Sequence, residues 1–198
     1  LVFRRAGIHQ LTYTIASSPI GAPGGKGVAA SIAPNIEIIQ VEPAAVAILE
    51  LTWPSTSVAA GQRLTPTLKV RDAYGNIVTS YRGTVRFRSS DPQAVLPSNY
   101  TFTASNNGSV TLGNSVILKT AGARTVTVST IPSGNDPAPI ATTSFSVAAG
   151  PLASLKVSST SPQKIGVGWT ETVSLLDEFG NPLSSVAEGE TAALSLVG

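Results

Sequence analysis

The chain has no cysteine and no methionine, a single histidine and two tryptophans among its 198 residues. Without cysteine there is no disulfide framework, no thiolate metal site and no cysteine nucleophile. One histidine cannot supply the several imidazoles of a zinc centre. His9 opens an alternating segment with no G-x-S-x-G elbow beside it, so it reads as a strand-edge residue rather than a member of a Ser-His-Asp set. Charge is scarce too, 13 Lys and Arg against 11 Asp and Glu for a net +2, which is too little for a nucleic-acid binder. No apolar run approaches the roughly 18–20 residues of a membrane helix. The missing methionine, position 1 included, reads as an internal stretch of a longer protein.

What the chain does have is itself, more than once. Asp72-Ala73-Tyr74-Gly75-Asn76 returns 105 residues later as Asp177-Glu178-Phe179-Gly180-Asn181. Val46-Ala47-Ile48-Leu49-Glu50-Leu51 returns as Leu152-Ala153-Ser154-Leu155-Lys156-Val157, and Ala6-Gly7 as Ala121-Gly122, each followed by an alternating segment in the latter case. A fixed period marks one folding module repeated in an array. The expected division is the C-terminal part of a repeat over 1–42, a complete repeat over 43–149 and the N-terminal part of another over 150–198. The junctions are short and contain Pro43 or Gly150-Pro151, which predicts semi-rigid rods rather than a flexible string. The first 41 residues carry a net +2 and residues 150–198 a net −3, read as ordinary surface variation, with head-to-tail stacking of opposite charge as the alternative.

Within each unit the period is two. Thr125-Val126-Thr127-Val128-Ser129 alternates polar and apolar, and Leu68 and Val70, Val85 and Phe87, and Phe145 and Val147 form inward pairs separated by outward residues. Leu11, Tyr13 and Ile15 alternate in the same way in the first unit, and Ile36, Ile38 and Val41 close it less regularly. Gly, Pro and Asn clusters punctuate these runs, and no helical period is present. About seven strands are expected in the complete unit, near 46–51, 63–71, 77–79, 83–89, 98–103, 114–119 and 123–129, with a last one near 140–147. This is an all-β, β-sandwich pattern. The loop around Ser17–Gly27 is nine residues longer than its counterpart near Pro132, a scaffold with a decorated tip.

The stretches Leu68–Val78, Gly83–Ser90, Ser109–Leu112 and Ala121–Val128 resemble the bacterial immunoglobulin-like repeats of invasin- and intimin-type surface proteins, and are also similar to filamin-type immunoglobulin repeats. Ser89–Pro97 looks like a loop of tandem repeats in large secreted bacterial proteins, and the third unit departs with Glu188-Gly189-Glu190-Thr191-Ala192. The resemblance implies tandem immunoglobulin-like β-sandwiches, one complete and two partial. It also implies an extracellular or cell-surface, non-enzymatic structural role as stalk, adhesin shaft or filament. A glycan- or ligand-binding accessory module is the alternative, and a cytoskeletal crosslinker of filamin type a further one.

Site residues are few. Asp72 and Asp177 precede Gly-Asn at equivalent positions and read as turn caps. A calcium site would need the clustered oxygens that this sequence does not supply. Arg63, Lys69, Arg71, Arg82, Arg86 and Arg88 are expected on one outer sheet face, either as solvated positions that discourage edge pairing or as a patch for an anionic glycan. Asn99-Tyr100-Thr101 and Asn107-Gly108-Ser109 match the glycosylation pattern. Trp53 and Trp169 sit at different repeat positions, so they form no repeated sugar platform, and each is expected to pack near the start of a second strand. No catalytic, cofactor or metal residue is expected. The expected partners are neighbouring repeats, including head-to-tail self-assembly, with one chain's tail and the next chain's head completing a sandwich by strand addition. Truncation is the simpler account of the half units.

Overall fold

A computed structural model of the chain describes residues 1–13, 35–132, 138–159, 162, 164–168 and 171–184. Ile15, the Ser17–Gly27 loop and its counterpart after Pro132, Trp169 and Glu188–Ala192 lie outside these residues. The described chain is all-β. It forms β1 (Gly7–Tyr13), β2 (Asn35–Val41), β3 (Val46–Thr52), β4 (Ser57–Ala59), β5 (Arg63–Leu64), β6 (Thr67–Asp72) and β7 (Thr84–Ser89). These are followed by β8 (Tyr100–Thr101), β9 (Ser109–Thr111), β10 (Val116–Ile117), β11 (Gly122–Ile131), β12 (Ile140–Ala148), β13 (Ser154–Ser158) and β14 (Thr172–Leu176).

The middle of the chain is an immunoglobulin-like sandwich. One sheet runs β4-β12-β11-β7-β8 and the other β3-β6-β9, with β5 and β10 paired beside them. All pairings are antiparallel except that β4 runs parallel to β12. The alternation read from the sequence sets the faces: Leu68, Val70, Val85, Val126 and Val128 are fully buried, and Lys69, Arg71, Arg86 and Arg88 point away from the core. Phe102 fills the centre with its ring edge-on to Tyr81 and Tyr100. Trp53 stands edge-on to Phe145 and its indole N–H donates to Thr143 Oγ1, so it packs at the end of the first long strand instead of the start of the second.

Several strands differ from the expectation. The stretch near 77–79 contributes only an isolated bridge, Arg71 to Ile77. The strand expected over 63–71 is split at Pro66, which has no N–H to donate to a ladder. Ser57–Ala59 and Ser109–Thr111 are strands that the pattern did not reveal, each being only three residues long. The cationic residues do not share one face. Lys69 and Arg71 lie on β6, where both meet Glu50, whereas Arg86 and Arg88 lie on β7 in the opposite sheet. Alternation assigns a residue to a face of its own strand, not to a particular sheet.

The flanking hairpins repeat the registers of the middle unit. Gly7 pairs with Val41 as Gly122 pairs with Val147, and Ser154 pairs with Leu176 as Ile48 pairs with Arg71. In β2, Ile36 and Ile38 are exposed, and Ile39 and Val41 take the positions equivalent to the buried Phe145 and Val147.

Candidate functional site

The residues that recur by sequence build the same arrangement at two places, each time joining the sandwich to a flanking hairpin. β6 ends at Asp72, and the chain turns through Tyr74-Gly75-Asn76. Gly75 sits at φ +84°, a conformation that an L side chain resists, and Gly180 repeats it at the same angle. The Asp72 carboxylate is fully buried. Its Oδ1 accepts from the Tyr74 N–H at 2.9 Å and the Asn76 N–H at 2.8 Å. Its Oδ2 accepts from the Ala44 N–H in the linker at 3.0 Å and from Asn76 Nδ2 at 2.8 Å. The Asn76 amide then crosses to the first unit, where Nδ2 donates to the Arg4 carbonyl at 2.9 Å and Oδ1 accepts from the Ala6 N–H at 3.0 Å. A carbonyl on one side and an N–H on the other fix which way the amide points.

The second junction copies each of these contacts. Asp177 Oδ1 accepts from the Phe179 and Asn181 N–H groups at 2.9 and 2.8 Å. Its Oδ2 accepts from the Gly150 N–H at 2.8 Å and from Asn181 Nδ2 at 2.7 Å. Asn181 Nδ2 donates to the Lys119 carbonyl at 2.7 Å, and Oδ1 accepts from the Ala121 N–H at 2.8 Å. Both carboxylates therefore spend their oxygens on N–H donors, which is the turn-cap reading extended across a junction. The turn is read from Asp-x-x-Gly-Asn, but the groups it grips are backbone atoms of another unit, which carry no sequence signature.

Burial by itself would raise the Asp72 and Asp177 carboxyl pKa values. The asparagine side chain, the linker N–H and the turn N–H groups outweigh it and hold both below the ordinary aspartate value. Asp91, absent from the sequence reading as a site, is a third such group. Its oxygens accept from the N–H groups of Gln93, Lys119 and Thr120 and from the Thr120 hydroxyl. Burial again acts upward, and those bonds, the Thr120 hydroxyl foremost, bring its pKa below the usual value. Asp91 thus holds the loop whose Lys119 carbonyl and Ala121 N–H are gripped by Asn181.

Two further side chains brace these loops from equivalent strand positions. Arg124 donates from Nε to the Thr120 carbonyl at 3.1 Å and from a terminal nitrogen to the Ala121 carbonyl at 2.8 Å. His9 Nε2 lies 2.7 Å from the Arg5 carbonyl, so that nitrogen carries the proton, and its ring stands 4.9 Å from Phe3. The second junction also seats a ring. A Cβ on Gly61 would fall 2.7 Å from Phe179 Cε2, Lys119 Nζ lies 5.5 Å from the ring centroid, and Gln93 Nε2 donates to the Phe179 carbonyl at 3.4 Å. Tyr74, the counterpart of Phe179, is 57% exposed.

The remaining sequence candidates are not brought together. Asn99 precedes β8 and is exposed. Asn107 is exposed and left-handed, closing the 3-10 turn Ala104–Asn106. A groove of about 580 Å³ opens at one end of the sandwich between Pro43–Val46, Ser80–Gly83 and Thr130–Pro132, and the buried Thr130 Oγ1 has no partner there. Among the described residues no three His, Cys, Asp or Glu side chains gather as a metal site, and no helix is long and apolar enough to cross a membrane.

No family model matches the chain, and no curated protein matches it. Among solved structures it is similar to FdeC, an Escherichia coli adhesin, at 19% identity and a TM-score of 0.45 over 81% of this chain and 50% of that chain. It is also similar to the S-layer protein rSbsC at 20% identity and a TM-score of 0.35, over 78% of this chain and 19% of that chain. The chain spans half or less of the length of either.

Proposed function

We propose that the chain is a non-enzymatic structural piece of an extracellular or cell-surface protein, serving as part of a stalk, adhesin shaft or surface filament. Residues 43–149 are its complete repeat, residues 1–42 the C-terminal part of the preceding one, and residues 150–198 the N-terminal part of the next. The observation that carries this reading is the junction built twice from the same atoms: a buried carboxylate holding the turn and the linker, and an asparagine bridging to the neighbouring unit. A device of this kind does no chemistry. It fixes an angle, and a fixed angle repeated along an array gives a rod. Each neutral hydrogen bond contributes on the order of 1 kcal/mol and each bond to a charged group on the order of 2 kcal/mol. Several such bonds per junction are enough to hold one orientation without a large apolar interface. Neighbouring repeats are thus the partners, and head-to-tail association of chains extends the same geometry.

The test uses the absence of native cysteine. Cysteines placed at Thr101 and at Ser174 accept spin labels, and the distance between them is read by pulsed electron resonance. A single narrow distance is expected, broadening in Asn181→Ala. A broad distribution in the parent chain would sink the reading. Ligand binding remains the second reading because of the groove between Pro43–Val46, Ser80–Gly83 and Thr130–Pro132.

A further inference from the structure

The groove beside the first junction has a fixed frame and one sign of charge. Its linker wall, Pro43–Val46, is held by the Ala44 N–H bond to Asp72. Pro43, Val46, Val78, Ile131 and Pro132 make it largely apolar, and Ser80 and Tyr81 add hydroxyls. Tyr81 stands edge-on to Phe102 and passes so close to Gly83 that a Cβ there would meet its hydroxyl. Among the described residues that line the groove, Arg82 is the one charge. Its Nη1 donates to the Thr79 and Tyr81 carbonyls at 2.9 and 2.7 Å, which fixes the guanidinium, while Nε and Nη2 donate to no described residue. The volume of about 580 Å³ lies in the range of ligand pockets.

The groove runs out onto the outer face of the larger sheet. Ile131 lines the groove and pairs with Thr84; the next outward rows are Ser129 with Arg86 and Thr127 with Arg88. Both arginines are exposed. Arg86 Nε donates to Ser129 Oγ at 3.3 Å, and neither arginine meets a carboxylate among the described residues. Glu50 serves Lys69 and Arg71 on the other sheet, and Asp72 and Asp91 are buried in their caps. Over residues 43–149 eight Lys and Arg stand against four Asp and Glu, of which Asp136 lies outside the described residues.

We propose that the groove and the arginine row together bind an acidic polysaccharide, a chain whose sugars carry carboxylates. One sugar ring lies against the prolines and Tyr81 with its carboxylate on the fixed Arg82 fork. Further carboxylates reach Arg86 and Arg88, which sit two strand residues, or about 7 Å, apart. Cations repeated along β7 suit a polymer with repeated acid groups, since a single small anion would fill the groove and leave the row unused. Thr127, Ser129 and Thr142 beside them offer hydroxyls that donate to and accept from a sugar. A nucleic acid fits less well. Three cations neutralise few phosphates, and no aromatic ring stands on this outer face, among the described residues, for a base to stack on. The inference rests on the ligand-binding reading of the groove and is separate from the stalk reading.

Titration of the isotope-labelled chain with an oligogalacturonide, with its methyl ester and with poly-glutamate of equal charge tests it. The oligogalacturonide is expected to shift the amide signals of Ser80–Gly83, Ile131 and Arg86–Arg88, and to bind at least about tenfold tighter than either of the others. Arg82→Gln should weaken it about tenfold, and Arg86→Gln with Arg88→Gln severalfold, which serves if Arg82→Gln disturbs its loop. Arg63→Gln on β5 removes the same charge away from the groove and should leave binding unchanged. Equal binding of the ester would overturn the acidic class and leave ligand binding standing. Equal binding of poly-glutamate would assign the site to acidic peptides, and an equal loss in Arg63→Gln would reduce the effect to net charge; either overturns the proposal. No shift in the groove with either sugar at millimolar concentration would overturn it together with the ligand reading.

Discussion

The two junctions use the same hydrogen-bond frame but differ in how dry they are. At the second, Asp177 and Asn181 are 2% and 4% exposed, Phe179 covers the site from its seat on Gly61, and Asp91 and Arg124 hold the loop that Asn181 grips. At the first, Asp72 is just as buried, but Asn76 is half-buried, Tyr74 stands in solvent, and His9 gives a single bond where Arg124 gives two. The hydrogen bonds specify the angle at both places. The surroundings decide how much each bond contributes, because water competes for the atoms of an exposed pair and not for those of a buried one.

The largest break should come from Asp177→Ala. It strands the Gly150, Phe179 and Asn181 N–H groups and one Asn181 amide hydrogen in a buried site, at a cost of about 3 kcal/mol. Asp72→Ala should cost about 1 kcal/mol less, since water reaches Asn76 and replaces part of what is lost. Urea unfolding followed by amide signals on either side of each junction measures both, and equal costs would erase the distinction. Gly61→Ala comes next. The new methyl meets the Phe179 ring, and Gly61 itself sits at φ +83°, so about 1–2 kcal/mol and the aromatic contact are lost. The first junction should be untouched, as its amide chemical shifts would report.

Acid sharpens the contrast further. Asp72, Asp91 and Asp177 all have native pKa values below the ordinary 3.8. The unfolded chain therefore binds protons first as pH falls. The stabilisation is complete above about pH 5 and is lost progressively as pH falls through 3.8 toward the native values. Two of these groups serve the second junction and one the first. The second should be more stable at neutral pH and should lose more as pH falls below about 5, as an acid series of hydrogen-exchange protection at Ala121 and Ala6 would show. The smallest effect is expected from His9→Arg, which lends the first junction the brace of the second and should add about 0.5 kcal/mol or less. A loss of protection at Ala6 instead would mean the imidazole is needed against Phe3.

The sequence made the fold legible because its β-branched alternation and Gly, Pro and Asn turns agree on strand after strand. It also exposed the acidic half of each junction, since Asp72 and Asp177 recur at one spacing in a chain with few carboxylates. The other half was hidden, because Arg4, Ala6, Lys119 and Ala121 take part through main-chain atoms that any residue could provide. Asp91 looked like one more loop aspartate, as nothing in its neighbours says that residues 119 and 120 will arrive beside it. Which of Ile36, Ile38, Ile39 and Val41 face the core was not legible, because apolar residues occupy both faces of β2 and period two then cannot say which face is the core.

The short strand β4 has a mechanical consequence. It lies parallel to β12, with Ser57, Val58 and Ala59 beside Ser146, Val147 and Ala148, and bonds from Ser146 to Thr56 and from Ala60 to Ala148 extend the seam. One strand lies near the point where the middle unit takes up the chain and the other near the point where it lets go. Tension applied to the chain on either side of the sandwich drags them lengthwise in opposite directions. The seam is then loaded in shear, all its bonds strained at once, and is not peeled open one bond at a time. Single-molecule pulling should find a high rupture force that falls when Val58→Pro removes the seam. The sandwich would then act as a force-bearing clasp under load.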